Sequence, residues 1–208
     1  MRIGLTGGIA AGKSSVSGRM AEDGADVIDY DELAHRLQEP GSAAIPQLTV
    51  SFGDDILDEH GAVNRAVLAE RVFGSDAAPG NVQRLNAIMH PLVYQLARRR
   101  EQEIQHDGRA HHIIVHDIPL LAEVFEDLPF RFDHVVTVEA PCALRIRRMV
   151  DTRGMSEAQA RARIASQTDD HWREAISDVI IDGSKPIEQM FEDVDSLMQR
   201  WWRDVNEE

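Results

Sequence analysis

The run Gly7-Gly8-Ile9-Ala10-Ala11-Gly12-Lys13-Ser14 permits few backbones. Its pattern, G-x-x-x-x-G-K-[ST], requires a strand that delivers the chain to a tight turn and a helix that leaves it. Glycines let the main chain wrap closely around an anion and turn several N–H groups inward. The helix that follows aims its unpaired N–H groups and the positive end of its dipole at the same anion. The apolar run Ile3–Leu5 before the loop and a helical pattern over Lys13–Glu22 after it supply both flanks. The loop therefore implies a bound nucleoside triphosphate held by Gly8, Ala10, Ala11, Gly12, Lys13, Ser14 and Ser15. In that reading Lys13 reaches the β- and γ-phosphates, and Ser14 ligates Mg²⁺.

Four further apolar runs read as buried strands: Val27–Ile28, Ile113–Val115, Val135–Val138 and Val179–Ile181. Short continuous apolar runs separated by longer helical patterns predict a parallel sheet covered on both faces. The helical patterns fall at about 32–38, 65–72, 82–105, 143–152, 157–167 and 186–203. Ser156 followed by Gln159 forms a capping box that starts the helix at 157. The stretch from Asp31 to Gly80 carries helices and Gly/Pro punctuation without a strand, and reads as an inserted helical part. The terminal stripe Ile187, Met190, Phe191, Val194, Leu197, Met198 and Trp201 has helical spacing, and docks on the core or binds a partner.

At 208 residues the chain suffices for one core with a small appended part. A formal net charge of −14 would repel nucleic acid and anionic membranes, so neither is expected as a partner. No run is long and apolar enough to span a membrane, and no signal peptide is expected. The single cysteine, Cys142, fits a reducing, cytoplasmic setting without a disulfide framework. A monomer or weak homo-oligomer is expected. Only two of the 22 basic residues are lysines, and one of them, Lys13, stands in the glycine loop.

In parallel sheets, chemistry gathers at the carboxyl ends of strands. Those positions carry acids: Asp29 and Asp31, then Asp117, Glu139 and Asp182. A carboxylate at Asp29 or Asp31 can orient an acceptor hydroxyl and take its proton; the same residues also suit a turn or a helix cap. Asp117 stands where an acid binds Mg²⁺ directly or through water, or simply ends a strand. Six arginines lie between 145 and 163, opposed only by Asp151 and Glu157, giving about +4 in an acidic chain. They read as a closing lid that contacts phosphate, or as a solvated helix face. His111, His112 and His116 lack the spacing of a zinc site. His90, before Pro91 in an apolar helical pattern, is a packed core histidine or a substrate contact.

Several segments occur together in one order: the loop; Val27-Ile28-Asp29-Tyr30-Asp31-Glu32-Leu33-Ala34; Leu85-Asn86-Ala87-Ile88-Met89-His90-Pro91-Leu92-Val93; Asp117-Ile118-Pro119-Leu120-Leu121-Ala122-Glu123; and Arg148 through Arg153-Gly154-Met155 to Gln167. Along nearly its whole length the sequence resembles the dephospho-coenzyme A kinase family. The resemblance implies a three-layer α/β phosphate-loop fold with a parallel five-stranded sheet. Its parts would be a core at about 1–30, 81–140 and 175–208, a helical substrate-binding part at about 31–80 and a lid at about 142–170. It implies ATP-dependent phosphorylation of the ribose 3′-hydroxyl of dephospho-coenzyme A, with Mg²⁺. Lys13, Asp31 and Arg148 would be catalytic, Arg148 also contacting ATP. Asp31, His90 and Leu120 would meet the acceptor, and Ser14 the metal, to which Asp117 is added from its place at a strand end.

The sequence departs from the family at three places. Ala10-Ala11 stand where Gly-Ser is usual, Tyr30 replaces an alanine between the two acids, and Asp182-Gly183-Ser184 replaces an Asn-x-Gly turn. Other small-molecule kinases, acting on a nucleotide, nucleoside or sugar acid, share the loop. So do regulatory nucleotide switches, although the base-selective N-K-x-D sequence of GTPases is absent.

Overall fold

The computed structural model describes residues 1–207. Strands β1 (Arg2–Gly7), β2 (Asp26–Asp29), β3 (Ile114–Asp117), β4 (His134–Glu139) and β5 (Val179–Asp182) form one sheet. Their order is β2-β3-β1-β4-β5, and every pairing is parallel. All five apolar runs of the sequence are therefore strands. Because β1 is central, the loop that leaves it is flanked by the carboxyl ends of β3 and β4. Register places Leu5 beside Asp117 and Gly7 beside Val138.

Two compact units divide the chain: Met1–Asp29 with the chain from Glu103 onward, and Tyr30–Gln102. In the first, α1 (Lys13–Glu22) and α10 (Ile187–Glu207) cover one sheet face. Met190, Val194, Leu197, Met198 and Trp201 of α10 are buried with Val16 and Met20 of α1 and with Ile3, Leu5, Val136 and Val138. Each such side chain contributes roughly 1.5–3 kcal/mol through burial, so most of the C-terminal stripe is core, with Phe191 partly buried against it and Ile187 exposed. Arg19 joins the two helices with a two-pronged contact to Asp195 at 2.5 and 2.8 Å.

Strand alternation turns Gly4 and His116 to the opposite face. That face is covered by Phe130 and Phe132 and by α6 (Leu121–Val124). After β4 come α7 (Cys142–Arg153), α8 (Glu157–Ala165) and α9 (Asp170–Ala175). Gly154, in the left-handed region at φ 62°, ends α7, and the Ser156–Gln159 capping box starts α8.

The second unit holds α2 (Tyr30–Arg36), α3 (Ile45–Phe52), α4 (Arg65–Phe73) and most of α5 (Asn81–Gln105). Leu33, Leu48, Phe52, Leu68 and Val72 are among its buried residues. Asn64 caps α4 by accepting the Ala66 and Val67 N–H groups. Pro91 lies inside α5, where it removes the bond to the Ala87 carbonyl. Helices α3, α6 and α9, of 8, 4 and 6 residues, were not legible as periodic patterns. No helix of the described residues is long and apolar enough to cross a membrane.

Candidate active site

The loop after β1 is shaped by backbone bonds to β4 and within itself. Gly8 N–H donates to the Val138 carbonyl at 3.2 Å, Ala11 N–H to Gly8 at 2.9 Å, and Ser15 N–H to Gly12 at 3.0 Å. Gly12 has φ 119° and Ala10 has φ 60°. Glycine meets that demand freely, whereas an alanine in the left-handed region carries about 1–2 kcal/mol of strain. The two alanines thus differ: Ala10 is strained, and Ala11 is fully buried. The turn after β5 packs so closely that a Cβ on Gly183 would collide with the Ala11 carbonyl. The Asp182-Gly183-Ser184 turn thus has its glycine at the position where the close approach requires one.

Lys13 opens α1 and forms an ion pair with Asp117 at the end of β3. Asp117 is buried, and burial pushes its carboxyl above the usual carboxylate range; the Lys13 ammonium and Ser17 side chain pull it back, while Asp29 adds to the rise. The β2–β3 register sets Asp29 directly beside Asp117. The other two strand-end acids serve structure. Glu139 accepts two bonds from Arg173, at 2.6 and 3.0 Å, and one from Thr137. Asp182 accepts from the Ser184 N–H and hydroxyl at 2.8 and 2.6 Å.

Ser14 is exposed on the first turn of α1. Its hydroxyl and the carboxylates of Asp117 and Asp29 are hard oxygen donors of the kind Mg²⁺ takes, and Mg²⁺ usually completes its shell with water and substrate phosphates. These residues fit that ion. Among the described residues no group of three or more His, Cys, Asp or Glu is placed to hold a metal without such help.

The six arginines divide. Arg148 donates Nη1 to the Ala10 and Ala11 carbonyls at 3.1 and 3.0 Å, and Nη2 to the Gly183 carbonyl at 2.7 Å. It is thereby anchored on the phosphate loop. Arg145, 1 % exposed, donates Nε to the Ile9 carbonyl at 3.0 Å. Arg161 pairs with Glu157 one helical turn away, and Arg147, Arg153 and Arg163 are exposed. The sequence reading missed two residues of this region. Gln167 accepts the Ile9 N–H at 2.7 Å, and buried Arg173 ties Glu139 to Asp170. The excess of positive charge signalled the segment, but nothing local marked which members turn inward.

Asp31 is exposed in the first turn of α2. Tyr30 beside it is buried, its ring centroid 6.5 Å from that of Tyr94. The extra bulk relative to alanine is thus absorbed inside the helical unit. His90, one residue before the interruption at Pro91, lies 5.9 Å from the same Tyr94 ring. Leu120 is 50 % exposed at the start of α6, while Leu121 is fully buried. The Thr6 hydroxyl pins this segment to β1 by donating to the Pro119 carbonyl at 3.2 Å.

Comparison with known proteins matches residues 1–189 to the model of one family, dephospho-CoA kinase. The chain belongs to the dephospho-CoA kinase family. It is 53 % identical over 201 residues to a dephospho-CoA kinase of Bifidobacterium longum (strain NCC 2705), covering 97 % of this chain and 96 % of that one. Among solved structures, TT1252 from Thermus thermophilus superposes with a TM-score of 0.78 at 26 % identity, over 96 % of this chain and 97 % of the other. The dephospho-CoA kinase from Campylobacter jejuni shares the fold, with a TM-score of 0.61 at 22 % identity and 96 % of each chain covered. Within the family frame, the phosphate loop, Lys13, Asp117 and Arg148 form one connected set, held on β1, β3 and α7.

Proposed function

We propose that this family member transfers the γ-phosphoryl group of ATP to the ribose 3′-hydroxyl of dephospho-coenzyme A, giving coenzyme A and ADP. The observation that carries the reading is the loop with Lys13 set against Asp117 at the neighbouring strand end, in a chain matched along nearly its full length by the family. The 3′-oxygen forms a bond to the γ-phosphorus while the bond from that phosphorus to the β–γ bridging oxygen breaks. The hydroxyl proton passes to Asp31, and ADP leaves.

Such a transfer needs positioning and charge stabilisation more than covalent help. The loop N–H groups and the N-terminus of α1 receive the β-phosphate, and Lys13 spans to the γ-phosphate. Arg148, fixed on three carbonyls of the loop region, adds positive charge next to the triphosphate. Ser14 and Asp117 would hold Mg²⁺, which would supply positive charge to offset the charge that develops on the phosphate oxygens. Asp31 accepts the proton, and His90 and Leu120 meet the acceptor. In this reading the helical unit receives dephospho-coenzyme A, and residues 142–170 act as the lid. The one cysteine, Cys142, is free and exposed, as suits the reducing cytoplasm in which we place the activity.

Purified protein mixed with ATP, Mg²⁺ and dephospho-coenzyme A should yield coenzyme A by mass spectrometry. Absence of product at micromolar enzyme would refute the reading. Turnover with a nucleotide, nucleoside or sugar acid, and none with dephospho-coenzyme A, would move the chain to another class of small-molecule kinase.

A further inference from the structure

The main chain of Ile9 is held on both its polar sides by side chains from outside the loop. Gln167 Oε1 accepts its N–H at 2.7 Å, and Arg145 Nε donates to its carbonyl at 3.0 Å. The two holders also bond each other, with Arg145 Nη2 donating to the same Gln167 oxygen at 3.1 Å. Because both partners of that oxygen are donors, the orientation of the amide is fixed. Arg145 Nη1 goes on to Asp170 at 3.1 Å. Asp170 is also held by Arg173, which closes on Glu139 at the end of β4. Ile9 and Ala10 further pack on Ile146, Met149 and Ala160, the small apolar cluster of α7 and α8.

An N–H in a loop of this type ordinarily turns inward toward an anion. The Ile9 N–H is instead aimed and satisfied by an amide oxygen from the α8–α9 segment. We propose that Gln167 and Arg145 are positioning residues for the phosphoryl donor. They fix the Ile9 main chain, and with it the direction of the N–H groups that follow. They also couple the loop to the α7–α9 segment, so that ATP affinity depends on a residue that touches no phosphate. Asp170 offsets the buried charge of Arg145, so the clamp works through geometry. The inference rests on the loop being the ATP site.

Gln167→Ala leaves both donors without their acceptor. Amide hydrogen exchange at Ile9, followed by NMR in nucleotide-free protein, should accelerate about tenfold, and KM for ATP should rise about tenfold, while KM for the acceptor stays constant. Gln167→Glu preserves an acceptor oxygen for both donors. It should keep Ile9 exchange within about threefold of the wild-type rate, while its negative charge near the triphosphate still raises KM for ATP. A purely structural role would lower the melting temperature without separating the two KM values. Wild-type exchange at Ile9 in Gln167→Ala overturns the proposal, as does a KM for ATP that moves no more than that of the acceptor. The exchange is read without nucleotide or acceptor. Its failure is therefore distinct from failure of the proposed reaction, which would show as no turnover by the wild type.

Discussion

Asp31 and Asp117 illustrate how two carboxylates in similar sequence settings separate by environment. Asp117 is buried and ion-paired with Lys13, whereas Asp31 is exposed on the first turn of a helix. The role we propose for Asp31, accepting the proton of the acceptor hydroxyl, requires such an exposed carboxylate. Asp31→Asn should lower kcat by about 10²–10⁴-fold with little change in ATP affinity, as steady-state kinetics and calorimetric titration will show; an unchanged kcat removes Asp31 from that role. Ala10 offers a test of the opposite sign. Its φ of 60° is unfavourable for a side chain with a Cβ, so Ala10→Gly should raise unfolding free energy by about 0.5–1 kcal/mol. Denaturant titration measures this, and a destabilised variant would show that the loop bears no backbone strain at Ala10. The sequence exposed the loop, Asp31 and Asp117 as candidates. It could not tell Ala10 from Ala11, because φ is imposed by the path of the closed loop and not by the residue.

Among the elements, the segments read most clearly were those whose own residues supply the stabilising pattern. The stripe of α10 and the capping box of α8 are of this kind, and both appear as read. Ser156 accepts the Gln159 N–H at 3.2 Å, and Gln159 accepts the Ser156 N–H at 2.9 Å. Ser156→Ala should lower the stability of α8 by about 1 kcal/mol, visible as faster amide exchange in its first turn. Equal exchange in both proteins would show that α8 is held by its packing alone. Helix α9 lies at the other extreme. Its six residues, Asp170–Ala175, are started by the Asp169 cap and held by buried Arg173, whose partners are Glu139, Asp170 and the Thr168 carbonyl. No periodicity marks it, because tertiary ion pairs and not an apolar face keep it in place.

At the scale of the molecule, His116 links folding to pH. Its ring is buried against Phe130 and Phe132, and burial, helped by the positive charge of Arg2, pushes its pKa down to about 3. The unfolded ring titrates near 6.5, so between these values the unfolded chain holds the extra proton. Stability is therefore full above pH 6.5 and declines as pH falls toward 3. From pH 7 to 5 this one group should remove about 2 kcal/mol. Denaturant titration of wild type and His116→Phe across that range checks it, and identical pH slopes would contradict the assignment. The sequence by itself determined the five strands, the phosphate loop after the first and the helices with their own caps and stripes. Each of these was legible in the spacing of near neighbours in the chain, although the bonds between strands are long-range. Strand order and the destination of each charged side chain were decided only by the tertiary structure. Lys13 finds Asp117 across 104 positions, and Ile9 finds Gln167 across 158. Six arginines look alike in the sequence, yet packing buries Arg145 and leaves Arg147, Arg153 and Arg163 in solvent. Close packing selects which of several equivalent side chains turns inward, and that choice is made by surfaces that meet only when the chain is folded.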